Sequence, residues 1–95
     1  MITRIVKLTF NANYCEEFEH QFPAVRKIVE NSKGCRGVQL QKANKQLYFT
    51  ISKWDDETAL NDYRKSANFQ EIWSKFKANF SEKPEAWTTE ELQQK

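Results

Sequence analysis

The sequence predicts an α+β fold in the order β-α-β-β-α-β, one antiparallel sheet with its helices on one face. Three observations carry this. Apolar residues alternate with period two in three separate stretches, Ile2 to Phe10, Cys35 to Lys42 and Gln46 to Trp54. Two longer stretches switch to the helical period, Tyr14, Phe18, Phe22, Val25 and Val29 in one and Phe69, Ile72, Trp73, Phe76 and Phe80 in the other. Turn and cap residues fall between them, and Pro84 separates the last helix from a short stretch with strand character, Ala86 to Thr89.

On the first strand Ile2, Val6, Leu8 and Phe10 share one face, with Thr3, Ile5, Lys7 and Thr9 on the other. Arg4 interrupts the apolar face near its start, where a long stem can carry the charge to water. Asn11 to Asn13 make a turn, and Asn13 with Glu16 three residues on reads as a helix start. The helix that follows holds Ile28 beside its apolar stripe and Pro23 inside it. The periodicity continues across Pro23, so one kinked helix is predicted rather than two. Gly34 suits a left-handed cap after Ser32 and Lys33.

The second strand puts Val38 and Leu40 on one face, and Ala43-Asn44-Lys45 turn the chain back. On the third, Leu47, Phe49 and Ile51 face one way and Tyr48, Thr50, Ser52 and Trp54 the other. Both faces carry bulk, so both are predicted to be covered. Asp55 or Asp56 caps the next helix. Its stripe shifts phase near Lys65 to Ala67, which predicts a break there, with Ser66 capping a second segment that runs to about Asn79. Glu90 to Lys95 reads as a polar, mobile tail.

This is the ferredoxin-like split βαβ arrangement. Its helix-free sheet face is expected to hold Tyr48, Trp54 and Ile5, a set too apolar to leave in water. A second copy packed sheet to sheet is the simplest cover. The 95 residues indicate one domain, 1–95, small enough that a homodimer would supply missing burial.

Composition narrows the function classes. A net charge of +2 is too small to argue for nucleic acid. No apolar run approaches the roughly 20 residues needed to cross a bilayer, so no membrane partner is expected. The alternating N-terminus has no signal-peptide core, which gives a cytoplasmic expectation. Cys15 and Cys35 fall near opposite ends of the first helix and are predicted to be free thiols. His20 stands alone, so no metal site is expected.

The segment Tyr48-Phe49-Thr50-Ile51-Ser52-Lys53-Trp54, then Ala59-Leu60, Tyr63-Arg64-x-Ser66, Phe69 and Trp73, then Lys83-Pro84-Glu85-Ala86-Trp87, closely resembles the antibiotic biosynthesis monooxygenase family, especially its small bacterial members. The resemblance runs over essentially the whole chain. It implies a dimeric α+β barrel in which each chain contributes a ferredoxin-like half and the C-terminal strand reaches the partner. Tyr48, Trp54 and Trp87 are then the expected dimer-interface residues. The family's activities include cofactor-free oxygenation of polycyclic phenols and haem degradation. The haem-degrading branch uses an Asn, an aromatic residue and an iron-ligating His where this chain has Val6, Tyr63 and Trp73. Val6 cannot hydrogen-bond and Trp73 cannot ligate iron, so the resemblance implies no haem, and no cofactor is expected.

Cofactor-free oxygenation asks the protein for a dry, flat aromatic slot, a hydrogen-bond partner or base, and a positive group for the substrate anion. Phe49, Phe69 and Trp73 are the expected slot for a small aromatic molecule. Tyr63 is expected to hydrogen-bond the substrate oxygen and Arg64 to hold the anion. Each has a plainer role beside this. Phe69, Phe76 and Phe80 suit plain core, Trp73 suits either role, Tyr63 suits a structural hydrogen bond, and Arg64 suits a salt bridge with Glu57 on the same side of its helix. Two other functions compete. One is a non-catalytic dimer that binds a small molecule in the same slot. The other is a nucleic-acid module with Tyr48 as a stacking residue, but the chain lacks the glycine-rich aromatic run such modules carry, since its glycines are only Gly34 and Gly37.

Overall fold

The computed structural model describes residues 1–92. The elements are β1 (Ile2–Thr9), α1 (Cys15–Glu30), β2 (Cys35–Lys42), β3 (Leu47–Trp54), α2 (Glu57–Arg64), α3 (Ala67–Lys77) and β4 (Glu85–Glu90). The strands form one sheet in the order β2-β3-β1-β4, with every neighbouring pair antiparallel. This is the ferredoxin-like order, with its second helical region divided in two.

Local chemistry explains most boundaries. The chain enters α1 through a 3-10 turn, Ala12–Tyr14, and no side chain caps either helix start. The Asn13 signal therefore fails. The Tyr14 amide instead donates to the Asn11 carbonyl at 2.9 Å, and Glu16 and Glu17 favour the helix dipole in the first turn. Pro23 lies inside a single helix. Gly34 has φ +85°, and a Cβ there would lie 2.5 Å from the Ala59 Cβ. Glycine thus permits both the left-handed turn and the close approach of this turn to α2. Asp56 caps α2, accepting from the Ala59 amide at 2.8 Å. Ser66 caps α3, accepting from the Phe69 amide at 3.1 Å, while its hydroxyl donates to the Tyr63 carbonyl at 2.6 Å. β4 continues through Glu90, which pairs with Ile2, so the tail starts later than expected. The rest of that expectation falls on residues 93–95, outside the described residues.

Residues directly opposed in an antiparallel ladder share a face. Ile2 opposes Trp54, Arg4 opposes Ser52 and Leu8 opposes Tyr48. These sit beneath the helices. Ile5 opposes both Ile51 and Trp87, and Lys7 opposes Phe49, on the helix-free face. The expected assignment of β3 is therefore reversed. Tyr48 and Trp54, at 0% and 1% exposure, are interior residues of this one chain. The open face belongs to Ile5, Leu47, Phe49, Ile51 and Trp87. Parity groups the residues of a strand correctly but does not say which group meets the helices.

Both buried aromatics keep a polar partner, which lets them lie inside. The Trp54 indole N–H donates to Ser52 Oγ at 2.9 Å. The Tyr48 hydroxyl reaches Glu19 on α1, whose carboxylate also binds Lys42 at 2.7 Å. Phe10 centres the main core, with the rings of Tyr14, Phe18, Tyr48, Phe76 and Phe80 at 4.5 to 6.0 Å. Both cysteines are free.

Candidate active site

Beside that core, α1, α2 and α3 border a cavity of about 280 Å³ over the sheet, with Phe22, Val25 and Val29 as the α1 contribution. Arg4, Val6 and Leu8 of β1, with Thr50, Ser52 and Trp54 of β3, form its floor. Tyr63 and Arg64 of α2 and Phe69, Ile72 and Trp73 of α3 form the walls, and Pro84 to Ala86 close one side.

The walls are a continuous run of rings. Trp54 stacks on Tyr63 at 5.3 Å between centroids, Tyr63 meets Phe69 edge to face at 5.4 Å, and Phe69 stacks on Trp73 at 5.9 Å with planes 9° apart. Trp73 then touches Phe80 at 5.6 Å, joining the cavity to the core. The helix break sets this geometry. Ser66 holds the end of α2 through the Tyr63 carbonyl and the start of α3 through the Phe69 amide. One hydroxyl therefore fixes the backbones of two cavity residues.

Burial pushes the Tyr63 hydroxyl up to about 12, with the nearby Cys35 adding to the shift. At neutral pH Tyr63 is an uncharged phenol, a hydrogen-bond donor rather than a base. Among the described residues no protein group hydrogen-bonds this hydroxyl, so the structural bond that sequence also allowed is not what Tyr63 makes. Arg4 is half-buried, and its Nη1 donates to Thr88 Oγ1 at 2.9 Å. Burial lowers its affinity for the proton, and the neighbouring Arg64 charge lowers it further. Arg64 is exposed at the cavity rim. Among the described residues neither arginine has a carboxylate within ion-pair distance, and Glu57 does not pair with Arg64.

Four residues singled out from sequence, Tyr63, Arg64, Phe69 and Trp73, thus meet at one cavity. Phe49 does not. It lies on the opposite side of the sheet, across from Lys7 and Gln41, by the same parity error that misplaced Tyr48 and Trp54. Trp54 lines the cavity, Tyr48 packs against α1, and Trp87 lies half-exposed on the open face. Arg4 and Ser52 were missed as cavity residues. Their signal was parity, with Val6 and Leu8 for Arg4 and with Trp54 for Ser52.

Val6, Tyr63 and Trp73, the three positions matched to the haem-degrading branch, do come together at the cavity. Among the described residues no histidine or cysteine lines it, and His20 is exposed on α1. The residues present do not fit a haem iron. Among the described residues no cluster of three His, Cys, Asp or Glu side chains could hold a metal ion. No helix among them is long and apolar enough to cross a membrane.

Fold and site together define a ferredoxin-like α+β protein with an aromatic-walled cavity between sheet and helices. The profile of the antibiotic biosynthesis monooxygenase family matches residues 1–74, and the chain belongs to that family. Solved structures agree in fold. Rv0793 from Mycobacterium tuberculosis is 13% identical with a TM-score of 0.87, covering 98% of this chain and 96% of its own. A crystal structure described as an antibiotic biosynthesis monooxygenase is 12% identical with a TM-score of 0.89, over 98% and 100% of the two chains. PA3566 from Pseudomonas aeruginosa is 19% identical with a TM-score of 0.82, over 97% and 94%. At these identities the likeness is one of fold. No curated protein matches the sequence.

Proposed function

We propose that the chain is a cofactor-independent monooxygenase that oxidises a small aromatic substrate with O2. The observation that carries this reading is the Tyr63 hydroxyl, which no protein group among the described residues hydrogen-bonds, in an aromatic-walled cavity that Arg4 and Arg64 also line. The volume of about 280 Å³ lies just below the usual range of roughly 300–1,000 Å³ for ligand pockets, so one or two fused rings suit it.

The chemistry follows from the parts. A ring slides along the faces of Phe69 and Trp73 with its oxygen towards Tyr63. Tyr63 donates a hydrogen bond to that oxygen, which stabilises the anion formed when an acidic ring C–H ionises to water at the mouth. The anion passes electrons to O2, and a carbon–oxygen bond forms. The O–O bond then breaks and one oxygen leaves as water. A ring CH2 and O2 become C=O and H2O, so the substrate supplies all the electrons and both hydrogens of the water. The same reading includes a homodimer. Ile5, Phe49, Ile51 and the half-exposed Trp87 form an apolar open face, and a second copy laid on it completes a barrel.

Oxygen uptake by purified protein, given anthrones and hydroquinones, tests the activity. Uptake above the uncatalysed rate, abolished in Trp73→Ala and reduced at least tenfold in Tyr63→Phe, is expected if one positioned donor is worth about 10²-fold. Thermal stabilisation by the same compounds without uptake would replace the oxygenase with a binding dimer.

A further inference from the structure

We propose that the substrate carries a ring carboxylate, and that Arg4 of the cavity floor and Arg64 of its rim together are its receptor. The inference rests on the small-aromatic reading of the cavity and names the class of molecule it takes.

Arg4 comes from the first strand and Arg64 from the end of α2, yet both line one small cavity. Three basic side chains elsewhere among the described residues are paired, while the exposed Arg26 lies over the Phe22 ring instead. Arg36 forms a bidentate pair with Asp55, Lys42 binds Glu19, and Lys7 binds Glu85. The two cavity arginines receive no such carboxylate among the described residues. Arg4 is the costlier case. It is half-buried, with a like charge close by, and its one side-chain hydrogen bond among the described residues is to the neutral hydroxyl of Thr88. A guanidinium has five donors, and an unneutralised one taken out of water is unfavourable. A bound anion would relieve both the missing partner and the mutual repulsion.

The arrangement also says what kind of anion. Rings line the cavity, the two positive charges lie near each other, and the Glu85 carboxylate that also lines it is paired with Lys7 at 3.5 Å, so the ligand has an apolar body and an anionic end. The transient charge of a phenolate already has a donor in Tyr63. Two guanidiniums near each other repel until an anion arrives, and a permanent anion relieves that repulsion from the moment of binding, which a charge formed only during reaction does not. A planar guanidinium meets a planar carboxylate through two parallel hydrogen bonds.

The test is calorimetric titration at pH 7 and low salt with three ligands sharing one bicyclic ring, 1-naphthol, 1-hydroxy-2-naphthoate and 1-naphthyl phosphate. The carboxylate is expected to bind about tenfold or more tightly than the neutral naphthol, and at least as tightly as the phosphate. Arg4→Gln and Arg64→Gln should each collapse the carboxylate preference towards one, and Arg4→Lys should keep part of it. Equal binding of naphthol and carboxylate, a preference that survives both Gln variants, tighter binding of the phosphate, or no binding of any ligand at millimolar concentration would each overturn the proposal. Should Arg4→Gln fail to fold by circular dichroism, the exposed Arg64 decides. Carboxylate preference without oxygen uptake would remove the oxygenase reading and leave this one standing. Uptake on neutral rings with no such preference would do the reverse.

Discussion

Ser66→Ala removes one oxygen and two hydrogen bonds. The first is the cap on α3, from the Phe69 amide at 3.1 Å, and caps of this kind are worth about 1 kcal/mol. The second is the hydroxyl bond to the Tyr63 carbonyl at 2.6 Å. That carbonyl keeps the Ser66 amide at 2.9 Å, so it is not orphaned, and the loss is about 0.5 kcal/mol. The sum is about 1.5 kcal/mol, or roughly 6–12 °C in Tm for a domain of this size. Ser66→Asp separates the two contributions. It keeps a cap acceptor and loses the donor, so it should cost only about 0.5 kcal/mol. The assay is urea unfolding followed by circular dichroism at one fixed protein concentration, because dimerisation would shift apparent stability. A loss below about 0.3 kcal/mol for Ser66→Ala, or equal losses for both variants, would refute the claim that this hydroxyl joins the two helices.

Two further outcomes follow from the packing. Gly34→Ala meets both a left-handed backbone at φ +85° and the Ala59 Cβ at 2.5 Å, and should destabilise by about 1–3 kcal/mol in urea unfolding. Adding Ala59→Gly removes the clash, so the double variant should be more stable than the sum of the single changes allows. Phe49→Asp on the open face should leave the far-ultraviolet spectrum intact and shift sedimentation from dimer to monomer, whereas Tyr48→Asp, one residue away and fully buried, should unfold the chain.

Boundaries were legible wherever a side chain makes them. Asp56 and Ser66 announce α2 and α3 because their oxygens bind the amides three residues on. The ring stripe from Phe69 to Phe76 announces a buried face for the same reason, since helical spacing gathers those residues on one side. β3 was harder. Tyr48 and Phe49 are both large and aromatic, so composition does not choose between the two faces of that strand. Only pairing with Leu8 and Lys7 settles the matter, and register is a property of two strands. The same limit hid Arg4. A lone charge on an apolar face reads as a stem that escapes to water, and nothing local reveals that Arg64, far along the chain, lies close enough to repel it. Cavity membership depends on such distant meetings, and this is why Tyr63 and Trp73, carried on adjacent helices, were found while Arg4 and Ser52 were not.

The first and last strands of the chain are neighbours. Ile2 faces Glu90, and Arg4 donates to Thr88, 84 positions away in sequence. Pairing over such a separation has the largest loop-closure entropy to overcome. β1 is flanked by a strand on each side, but β4 has one neighbour and no buried residue. The cavity is therefore closed along one side by the segment with least of its own to hold it there. In kinetic terms the pocket is expected to be the last product of folding and not its nucleus. A nascent chain still lacking β4 could assemble the Phe10 core, but Arg4 would have no Thr88 to orient it and the mouth would stand open.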